Sequence, residues 1–292
     1  MPTETGSGDG ASIETLSEVR SFGGTQGVYR HHAATLGCEM EFSLYLPPQA
    51  AARPVPVVWW LSGLTCNWEN FTVKAGAQRF ASEHGVAVVA PDTSPRGVSL
   101  PGEDDDWDFG TGAGFYLDAT QTPWSNHYRM ESYVTQELRD IILTQFPADH
   151  DHVGIFGHSM GGHGALTLAL RYPDLYQSVS AFAPITSPMH CPWGQKAFSA
   201  YLGDNRENWH SHDATALIEA GYHAPELLID QGLNDPFLTE QLHPDRFETV
   251  CGKAGQKLTL RRHEDYDHGY YFISTFMADH LKHHRELLYR QH

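Results

Sequence analysis

The sequence is short of basic residues, of cysteine and of long apolar runs. Lys and Arg together number 19 against 36 Asp and Glu, which gives the 292-residue chain a formal net charge of -17. Binding along a nucleic-acid backbone calls for a basic stripe, so this balance argues against a nucleic-acid partner. An anionic substrate gains no long-range attraction from such a chain and would need local basic groups. No apolar run approaches the roughly 20 residues of a membrane helix, so we expect no membrane partner.

The cysteines show no pattern of a disulfide framework. The four are widely separated and form no CxxC pair: Cys38, Cys66, Cys191 and Cys251. In a chain with 40% apolar residues, which can build a sizeable core, they indicate reduced thiols. The N-terminus is polar and acidic, without the basic and then apolar order of a secretory signal. We therefore expect a cytoplasmic protein, the alternative being a secreted one whose signal has been removed.

The length permits one large domain or two small ones. Residues 1–12 are rich in Gly and Ser and predict a flexible N-terminal tail. Residues 13–292 contain no linker, repeat or long low-complexity block. The sequence therefore predicts a single domain over residues 13–292.

Short apolar runs alternate with helical stretches along that domain. The strand candidates are EMEFSLYLP, VPVVWWLSG, VAVVAPD, HVGIFG, SVSAFAP, ELLIDQG and, more weakly, KLTLRRH. The helix candidates lie near residues 68–84, 130–146, 162–172, 213–220, 240–252 and 270–288. Most of the strand candidates are continuously apolar, as are parallel strands buried on both faces. This pattern predicts an α/β fold, with a mostly parallel sheet between helices and a site at the carboxyl ends of its strands.

The segment GHSMG, residues 157–161, has the form G-x-S-x-G. In a nucleophile elbow of this form, a sharp strand-to-helix turn lifts the serine oxygen out of the sheet, and small residues let the chain cross itself. The run HVGIFG precedes it and the small-residue stretch GGHGALTLALRYP follows, so the context favours a nucleophile at Ser159. The alternative is a glycine-rich turn without chemistry.

A serine nucleophile needs a base, and the elbow order along the chain is Ser, then acid, then His. His268 is followed by glycine and an aromatic helix start, which suits a loop residue reaching over the sheet, whereas His263 ends the weak last strand. We expect His158 to point to the other side of the turn and His163 away from the strand ends, so both are interpreted as structural. The C-terminal histidines are expected on a solvated helix face: His280, His283, His284 and His292.

Two carboxylates in ELLIDQGLNDPFL are candidates for the acid. Asp230 belongs to the strand and should be partly buried there, whereas Asp235 lies in the following loop and can reach a histidine from another loop. The acid orients the imidazole and stabilises its cationic form. Asp267 is next to His268 and cannot easily bond its ring, so we favour Asp235.

Eight segments together resemble S-formylglutathione hydrolases of the esterase D family. The resemblance runs from about residue 38 to residue 276. The eight segments, in order, are WLSGLTC, PDTSPRG, DWDFGTGAGFYLDAT, SYVTQEL, GHSMGGHGAL, PWGQKAFSAYLG, DQGLNDPFL and YDHGYYF. The resemblance implies an α/β-hydrolase fold. It also implies hydrolysis of the thioester S-formylglutathione to glutathione and formate, in formaldehyde detoxification.

Carried over motif by motif, the resemblance assigns the same triad that the elbow motif and the loop positions favour. Ser159 is the nucleophile, Asp235 the acid and His268 the base. The backbone N–H groups of Leu64, in LSGLTC, and Met160 are implied as the oxyanion hole. The resemblance implies neither a metal nor an organic cofactor, and it leads us to expect a homodimer.

The formyl group is small, so the acyl pocket should be tight. The bulky residues that could narrow it are Trp59, Trp60, Trp193 and Phe237. Arg96 and Lys196 are candidate partners for the carboxylates of glutathione. Cys66 follows the oxyanion segment and is interpreted as a small buried residue beside the site, the alternatives being a nucleophile or a redox switch.

Two positions depart from the family pattern. Gly269 stands where the family commonly has serine after the catalytic histidine, and residues 104–106 are three consecutive acids at the rim. Both departures bear on substrate preference more than on activity. The alternatives are therefore a broad-range carboxylesterase acting on short acyl esters and, in another class, an inactive α/β-hydrolase scaffold that only binds.

Overall fold

One nine-stranded sheet runs through the protein, whose computed structural model describes residues 12–290. Its strands are β1 (Ile13–Ser21), β2 (Gly24–Ala33), β3 (Cys38–Leu46), β4 (Val55–Leu61), β5 (Ala87–Pro91), β6 (Ala148–His158), β7 (Ser178–Phe182), β8 (Leu227–Gly232) and β9 (Leu258–His263). They lie in the order β1-β2-β3-β5-β4-β6-β7-β8-β9. The pairs from β5 through β9 are parallel, whereas β1, β2, β3 and β5 pair antiparallel.

The predicted mostly parallel sheet is confirmed, and its apolar runs explain it. Every residue of β4, β5, β7 and β8 is buried, as expected for strands covered on both faces. The weak candidate KLTLRRH forms the edge strand β9. Sequence patterns missed β1 and β2, because β1 is exposed along most of its length and β2 has few apolar side chains despite its burial.

Nine α-helical segments occur within residues 12–290. They are α1 (Trp68–Lys74), α2 (Ala77–His84), α3 (Met130–Ser132), α4 (Leu138–Gln145), α5 (Met160–Arg171), α6 (Pro192–Leu202), α7 (Ala214–Glu219), α8 (Pro244–Ala254) and α9 (Tyr270–Leu288). Short 3₁₀ turns occupy Pro48–Ala51, Trp124–Asn126, Pro188–His190 and Arg206–His212, and π-helical turns occupy Tyr133–Glu137 and Leu238–Leu242.

Two helix predictions needed revision, and one helix was missed. The stretch 68–84 is two helices, because Gly76 between them adopts a φ of 68° that a helix cannot continue. The stretch 130–146 contains the π-helical turn between α3 and α4. Helix α6 was not predicted, because its PWG start contains two poor helix formers, although proline suits a first turn.

Helices α5 and α9 pack on opposite faces of β7. Side chains alternate between the faces of a strand. A Cβ on Gly162 of α5 would lie 3.4 Å from Ala181 Cβ, whereas Ser180 Oγ, on the other face, bonds His280 of α9. The sheet is therefore sandwiched as predicted, and its carboxyl edge carries the loops after β4, β6 and β8.

The single sheet supports our inference that residues 13–292 form one domain. The predicted tail, residues 1–12, lies almost entirely outside the described residues. Across residues 12–290 no helix is long and apolar enough to cross a membrane.

Candidate active site

Ser159 lies in a strained turn between β6 and α5. Its φ is 56° and its ψ is -117°, a backbone conformation that costs about 1–3 kcal/mol and is maintained by the surrounding structure. Its N–H donates to the carbonyl of Phe182, and its carbonyl accepts the N–H groups of His163 and Ile185. The elbow is thus fixed by backbone bonds to β7 and the loop that follows it.

The two glycines of GHSMG stand where no side chain fits. A Cβ on Gly157 would lie 2.3 Å from the Gly161 carbonyl oxygen, and a Cβ on Gly161 would lie 1.9 Å from that of Leu61. Both obstacles are backbone atoms that cannot rotate away. The crossing of the chain that the motif predicts is therefore what the structure contains.

Gly161→Ala should destabilise the protein, because the new methyl group would push α5 away from β4. We expect a loss of about 1–3 kcal/mol or more in the free energy of unfolding, measured in urea. Gly252→Ala is the matched control, since Gly252 is exposed within α8 and nothing lies within 4 Å of its added Cβ. That change should stabilise by about 0.5–1 kcal/mol. Equal effects from the two variants would contradict the steric explanation.

The structure brings His268 and Asp235 together from two separate loops. His268 Nδ1 lies 2.5 Å from Asp235 Oδ2, and the Asp235 side chain is fully buried. Asp235 Oδ1 accepts the N–H of Phe237 at 2.8 Å. This pairing fixes the imidazole with Nδ1 toward the carboxylate, so that Nε2 is free for proton transfer.

Gln231 is a polar contact of this pair that sequence analysis missed. Its Nε2 donates to Asp235 Oδ2 at 3.2 Å and to the Gly232 carbonyl, and its side chain is fully buried. A buried donor on the carboxylate helps to hold the Asp235 side chain in position. The signal in the sequence was weak, because a glutamine inside a strand of the pattern LLIDQG has many possible roles.

Ser159 and His268 line one cavity of about 280 Å³. Within the described residues no hydrogen bond joins Ser159 Oγ to the imidazole, a contact that often tightens only when substrate binds. The other residues that line the cavity are Gly63, Leu64, Thr65, Cys66, Trp107, His158, Trp193, Phe237 and Tyr270. The cavity is mostly apolar, and the Ser159 hydroxyl and the His268 imidazole are among its few polar groups.

The backbone around Leu64 and Met160 suits the predicted oxyanion hole. A Cβ on Gly63 would lie 3.2 Å from Ser159 Cβ, so the segment after β4 passes directly beside the serine. Met160 is the first residue of α5, where N–H groups lack helical acceptors. Among residues 12–290, neither Leu64 N–H nor Met160 N–H has an acceptor. Both donors are free to bind an oxyanion.

The expected orientation of His158 was wrong. Its ring does not turn away from the site but lies 4.3 Å from the His268 ring, and it lines the cavity. Burial, followed by the neighbouring His268, holds its pKa well below the ordinary value, so it is neutral. The apolar cavity wall accommodates a neutral imidazole, whereas a charged one would be costly there.

His163, by contrast, faces away from the cavity as expected. It is buried, and burial lowers its pKa to about 3. Its neutral ring donates from Nε2 to the Phe115 carbonyl at 3.2 Å. This contact ties α5 to the loop that precedes α3, which is a structural role.

Cys66 lies at the cavity wall, partly buried. Burial raises the pKa of its thiol, and the nearby Lys74 only partly offsets this. The thiol is therefore protonated at neutral pH and is a poor nucleophile. The geometry agrees with the interpretation of Cys66 as a small residue beside the site.

Of the four bulky candidates, two line the cavity and two do not. Trp193 and Phe237 are in contact there, with ring centroids 4.7 Å apart. Trp59 and Trp60 lie in the core, since both belong to the fully buried β4. Their prediction was wrong because both faces of a central strand are covered, so neither side chain reaches the strand end.

Neither basic candidate lines the cavity. Arg96 forms a two-pronged ion pair with Asp92, at 2.7 and 2.9 Å, and lies in a separate charged cleft of about 480 Å³. Lys196 pairs with Asp106 at 2.9 Å and Asp108 at 2.5 Å. Their charges are thus already used within the protein, which argues against the expected role in binding glutathione carboxylates.

The prediction of a solvated histidine face on α9 was wrong for two of its members. His280 and His284 are fully buried: His280 bonds Ser180 Oγ and Asp230 Oδ2, and His284 bonds Ser178 Oγ. Both fall on the apolar stripe of α9, which was the available signal. His283 is partly buried, and His292 lies outside the described residues.

Asp230 is fully buried rather than partly buried, beneath the site and away from the cavity. Its carboxylate accepts hydrogen bonds from Arg261, and it also contacts His263 and His280. A buried carboxylate requires such partners. Asp230 therefore belongs to a structural network, whereas Asp235 contacts His268, which lines the cavity.

Gly269 begins α9 without a side-chain cap. Its N–H instead donates to Asp267 Oδ1 at 2.8 Å. The serine common in the family could cap this helix, a gain over glycine of only a few tenths of a kcal/mol. Gly269 is thus compatible with an ordered His268 loop.

All four cysteines are free thiols. Among the described residues no group of three or more His, Cys, Asp and Glu could hold a metal ion.

Known proteins resemble this chain over nearly its whole length. The Esterase family model, described as "Putative esterase", matches residues 33–283. S-formylglutathione hydrolases of Rattus norvegicus and Mus musculus are 52% and 53% identical over 279 residues, covering 94% and 95% of this chain and 99% of each relative. A solved structure of an S-formylglutathione hydrolase from Agrobacterium tumefaciens is 53% identical, with a TM-score of 0.92, and covers 94% of this chain and 99% of that chain.

Proposed function

The chain belongs to the S-formylglutathione hydrolase family of esterases, and on that premise we propose that Ser159, His268 and Asp235 are its catalytic triad. The chain hydrolyses the thioester S-formylglutathione to glutathione and formate. The observation that carries the assignment is the 2.5 Å contact of His268 Nδ1 with Asp235 beside the cavity that contains Ser159.

In the first half of the reaction, Ser159 Oγ attacks the formyl carbon while His268 Nε2 takes its proton. The carbonyl oxygen becomes an oxyanion, which the N–H groups of Leu64 and Met160 bind. Removal of a single donor of this kind typically lowers kcat by about 10²–10³-fold. The carbon–sulfur bond then breaks, and the glutathione thiolate leaves with the proton from His268. The buried Asp235 stabilises the imidazolium in between.

In the second half, water enters the site and His268 accepts its proton as the oxygen attacks the formyl ester. The same oxyanion donors bind the second tetrahedral intermediate. The bond to Ser159 Oγ breaks, the serine regains its proton from His268, and formate leaves. The chain's own residues thus supply every proton transfer.

The bulky rings of Trp193 and Phe237 in the cavity wall support a preference for small acyl groups. We expect kcat/KM for S-formylglutathione to exceed that for S-butyrylglutathione by at least tenfold, since each extra methylene in a tight pocket costs about 1–3 kcal/mol. Steady-state kinetics on the two thioesters, beside p-nitrophenyl formate and butyrate, measures this. Equal or faster turnover of the butyryl compounds would instead favour a broad-range carboxylesterase.

We also propose a cytoplasmic location and a homodimer. The free state of all four cysteines supports a reducing compartment. The dimer rests on the family resemblance. Light scattering of the purified chain tests it, and a particle with the mass of a single chain would contradict it.

A further inference from the structure

Trp107 is a cavity residue on an exposed loop tip. It lines the cavity of Ser159, yet 59% of its surface is exposed. Its ring meets the ring of Trp193 edge to face, with centroids 5.8 Å apart. Trp193 in turn packs on Phe237, whose ring contacts His268. Trp107 is thus the outermost of a series of rings that ends at the imidazole.

The base of this loop, residues 100–112, is firmly attached. The buried Glu103 accepts the Tyr128 hydroxyl at 2.7 Å and the N–H of Leu100. Phe109 stacks on Tyr201 at 4.8 Å. The carbonyl of Gly112 accepts the N–H of Thr65 at 2.9 Å, next to the oxyanion donor Leu64. Movement of the loop is therefore confined to its tip, residues 104–108.

The tip carries four carboxylates and is held by one ammonium group. Asp106 and Asp108, on either side of Trp107, both pair with Lys196 Nζ, at 2.9 and 2.5 Å. These are the ion pairs that the tip makes within residues 12–290. Although partial desolvation opposes it, hydrogen bonding to Asp108 and then Asp106 raises the pKa of Lys196 above its ordinary value. Lys196 is therefore charged at neutral pH.

Lys196 and Trp193 lie on the same side of α6. They are three residues apart in a helix, a spacing that places side chains on one face. On this face of α6, the Trp193 ring contacts Trp107. The Lys196 ammonium group pairs with the two aspartates that flank Trp107 in the chain. Without the ammonium group, the tip would keep its four mutually repelling carboxylates. The edge contact of the tryptophan and the backbone bonds from Asp105 N–H to Gly102 and from Phe109 N–H to Asp106 would remain to hold it.

We propose that Lys196 clamps the tip through Asp106 and Asp108, and that Trp107, so held, closes the cavity against acyl groups longer than formyl. Lys196 acts as a positioning residue and Trp107 as the residue that determines acyl size. This inference rests on the proposed function, because it assigns the selectivity of that same site.

The clamp predicts a specific change in acyl preference. Lys196→Met should raise the ratio of kcat/KM for butyryl over formyl substrates about tenfold, as relief of a tight pocket does, and Trp107→Ala should raise it at least as much. Lys196→Arg should restore a ratio close to that of the wild type, because its guanidinium can bridge the same two carboxylates. Asp105→Asn is the matched control, since it removes a charge from the same tip without removing an ion pair, and it should leave the ratio unchanged.

The salt dependence of the ratio of kcat/KM for butyryl over formyl substrates is a second test. If Lys196 only stabilised the fold, this ratio would not change with salt. The ion pairs are partly exposed, so salt screens them. The ratio for the wild type should rise toward that of Lys196→Met as salt increases, whereas the ratio for Lys196→Met should stay constant.

The ratios are measured with p-nitrophenyl formate and butyrate as well as with the two glutathione thioesters. An unchanged ratio in Lys196→Met or in Trp107→Ala would overturn the clamp. So would an equal loss on both thioesters with no loss on the p-nitrophenyl esters, which would place Lys196 at the glutathione half. Failure of the proposed function would look different, because the wild type itself would then not hydrolyse S-formylglutathione.

Discussion

Ser159→Ala is expected to lower kcat on S-formylglutathione by about 10⁶-fold, the loss typical of removing a triad nucleophile. The residual rate would come from binding and the oxyanion donors. Stability should change little, because the bonds that fix the elbow use the backbone of Ser159 rather than its hydroxyl. Thermal unfolding and steady-state kinetics on the same preparations separate the two effects.

A fluorophosphonate probe tests the same residue by a covalent mark. The wild type should carry one adduct, on the peptide that contains Ser159, and Ser159→Ala should carry none. Ser211→Ala, at an exposed serine in a 3₁₀ turn, is the control and should retain both the adduct and kcat. A wild type without an adduct would favour the inactive scaffold, and an adduct on another residue would sink the assignment of Ser159.

Asp235→Asn should lower kcat by about 10⁴-fold while the protein stays folded. The amide keeps the shape of the side chain and can still accept the N–H of Phe237. It cannot stabilise the imidazolium, and its NH₂ group favours the wrong tautomer of His268. The measurement is kcat on S-formylglutathione, beside a urea unfolding curve.

Asp230→Asn is the matched control, because Asp230 is also a buried aspartate of the β8 region that contacts histidines. Asp230→Asn should change kcat by no more than a few-fold relative to the wild type, but it should lower the free energy of unfolding. Breaking a buried ion pair costs at most about 3–5 kcal/mol, and less here because the Arg261 side chain is 31% exposed. If Asp230→Asn lowered kcat as much as Asp235→Asn does, the division between a structural and a catalytic carboxylate would be wrong.

The acid dependence of this control follows from its charge. Burial alone would raise the pKa of Asp230, but hydrogen bonds from His280 and Arg261 hold it far below the ordinary value. A carboxylate with a depressed pKa stabilises the folded state above its unfolded pKa of about 3.9, and this contribution is lost as pH falls below that value. The stability difference between the wild type and Asp230→Asn should therefore be full at neutral pH and shrink below about pH 4.

The sequence was sufficient where a pattern has one physical solution. Continuous apolar runs require strands buried on both faces, so β4 to β8 and the mostly parallel sheet were predictable. GHSMG was recognisable because its two glycines are the only residues that fit the crossing of the chain. Prediction failed at β1, which is exposed along most of its length, and at α6, whose PWG start contains two poor helix formers.

Side-chain direction could not be predicted in the same way. His158 and His163 flank the same serine, but only the tertiary structure decided that His158 contacts His268 and that His163 does not. His280 and His284 were assigned to solvent, because a polar side chain indicates exposure unless its buried partners are known. Those partners, Ser178 and Ser180, are about a hundred residues away in the chain.

The sequence by itself determined the family and the chemistry that we propose for the site: a serine in an elbow motif, followed by an acid and a histidine in the expected order. The tertiary structure decided which of the two aspartates contacts His268, which aromatic rings line the cavity and which charges are already paired. The reason is that chemistry depends on residue type and local spacing, which the chain carries directly. The cavity wall and the ion pairs form between segments that are distant in the chain, such as residues 104–108 and α6. Contact between such segments depends on the packing of the whole fold.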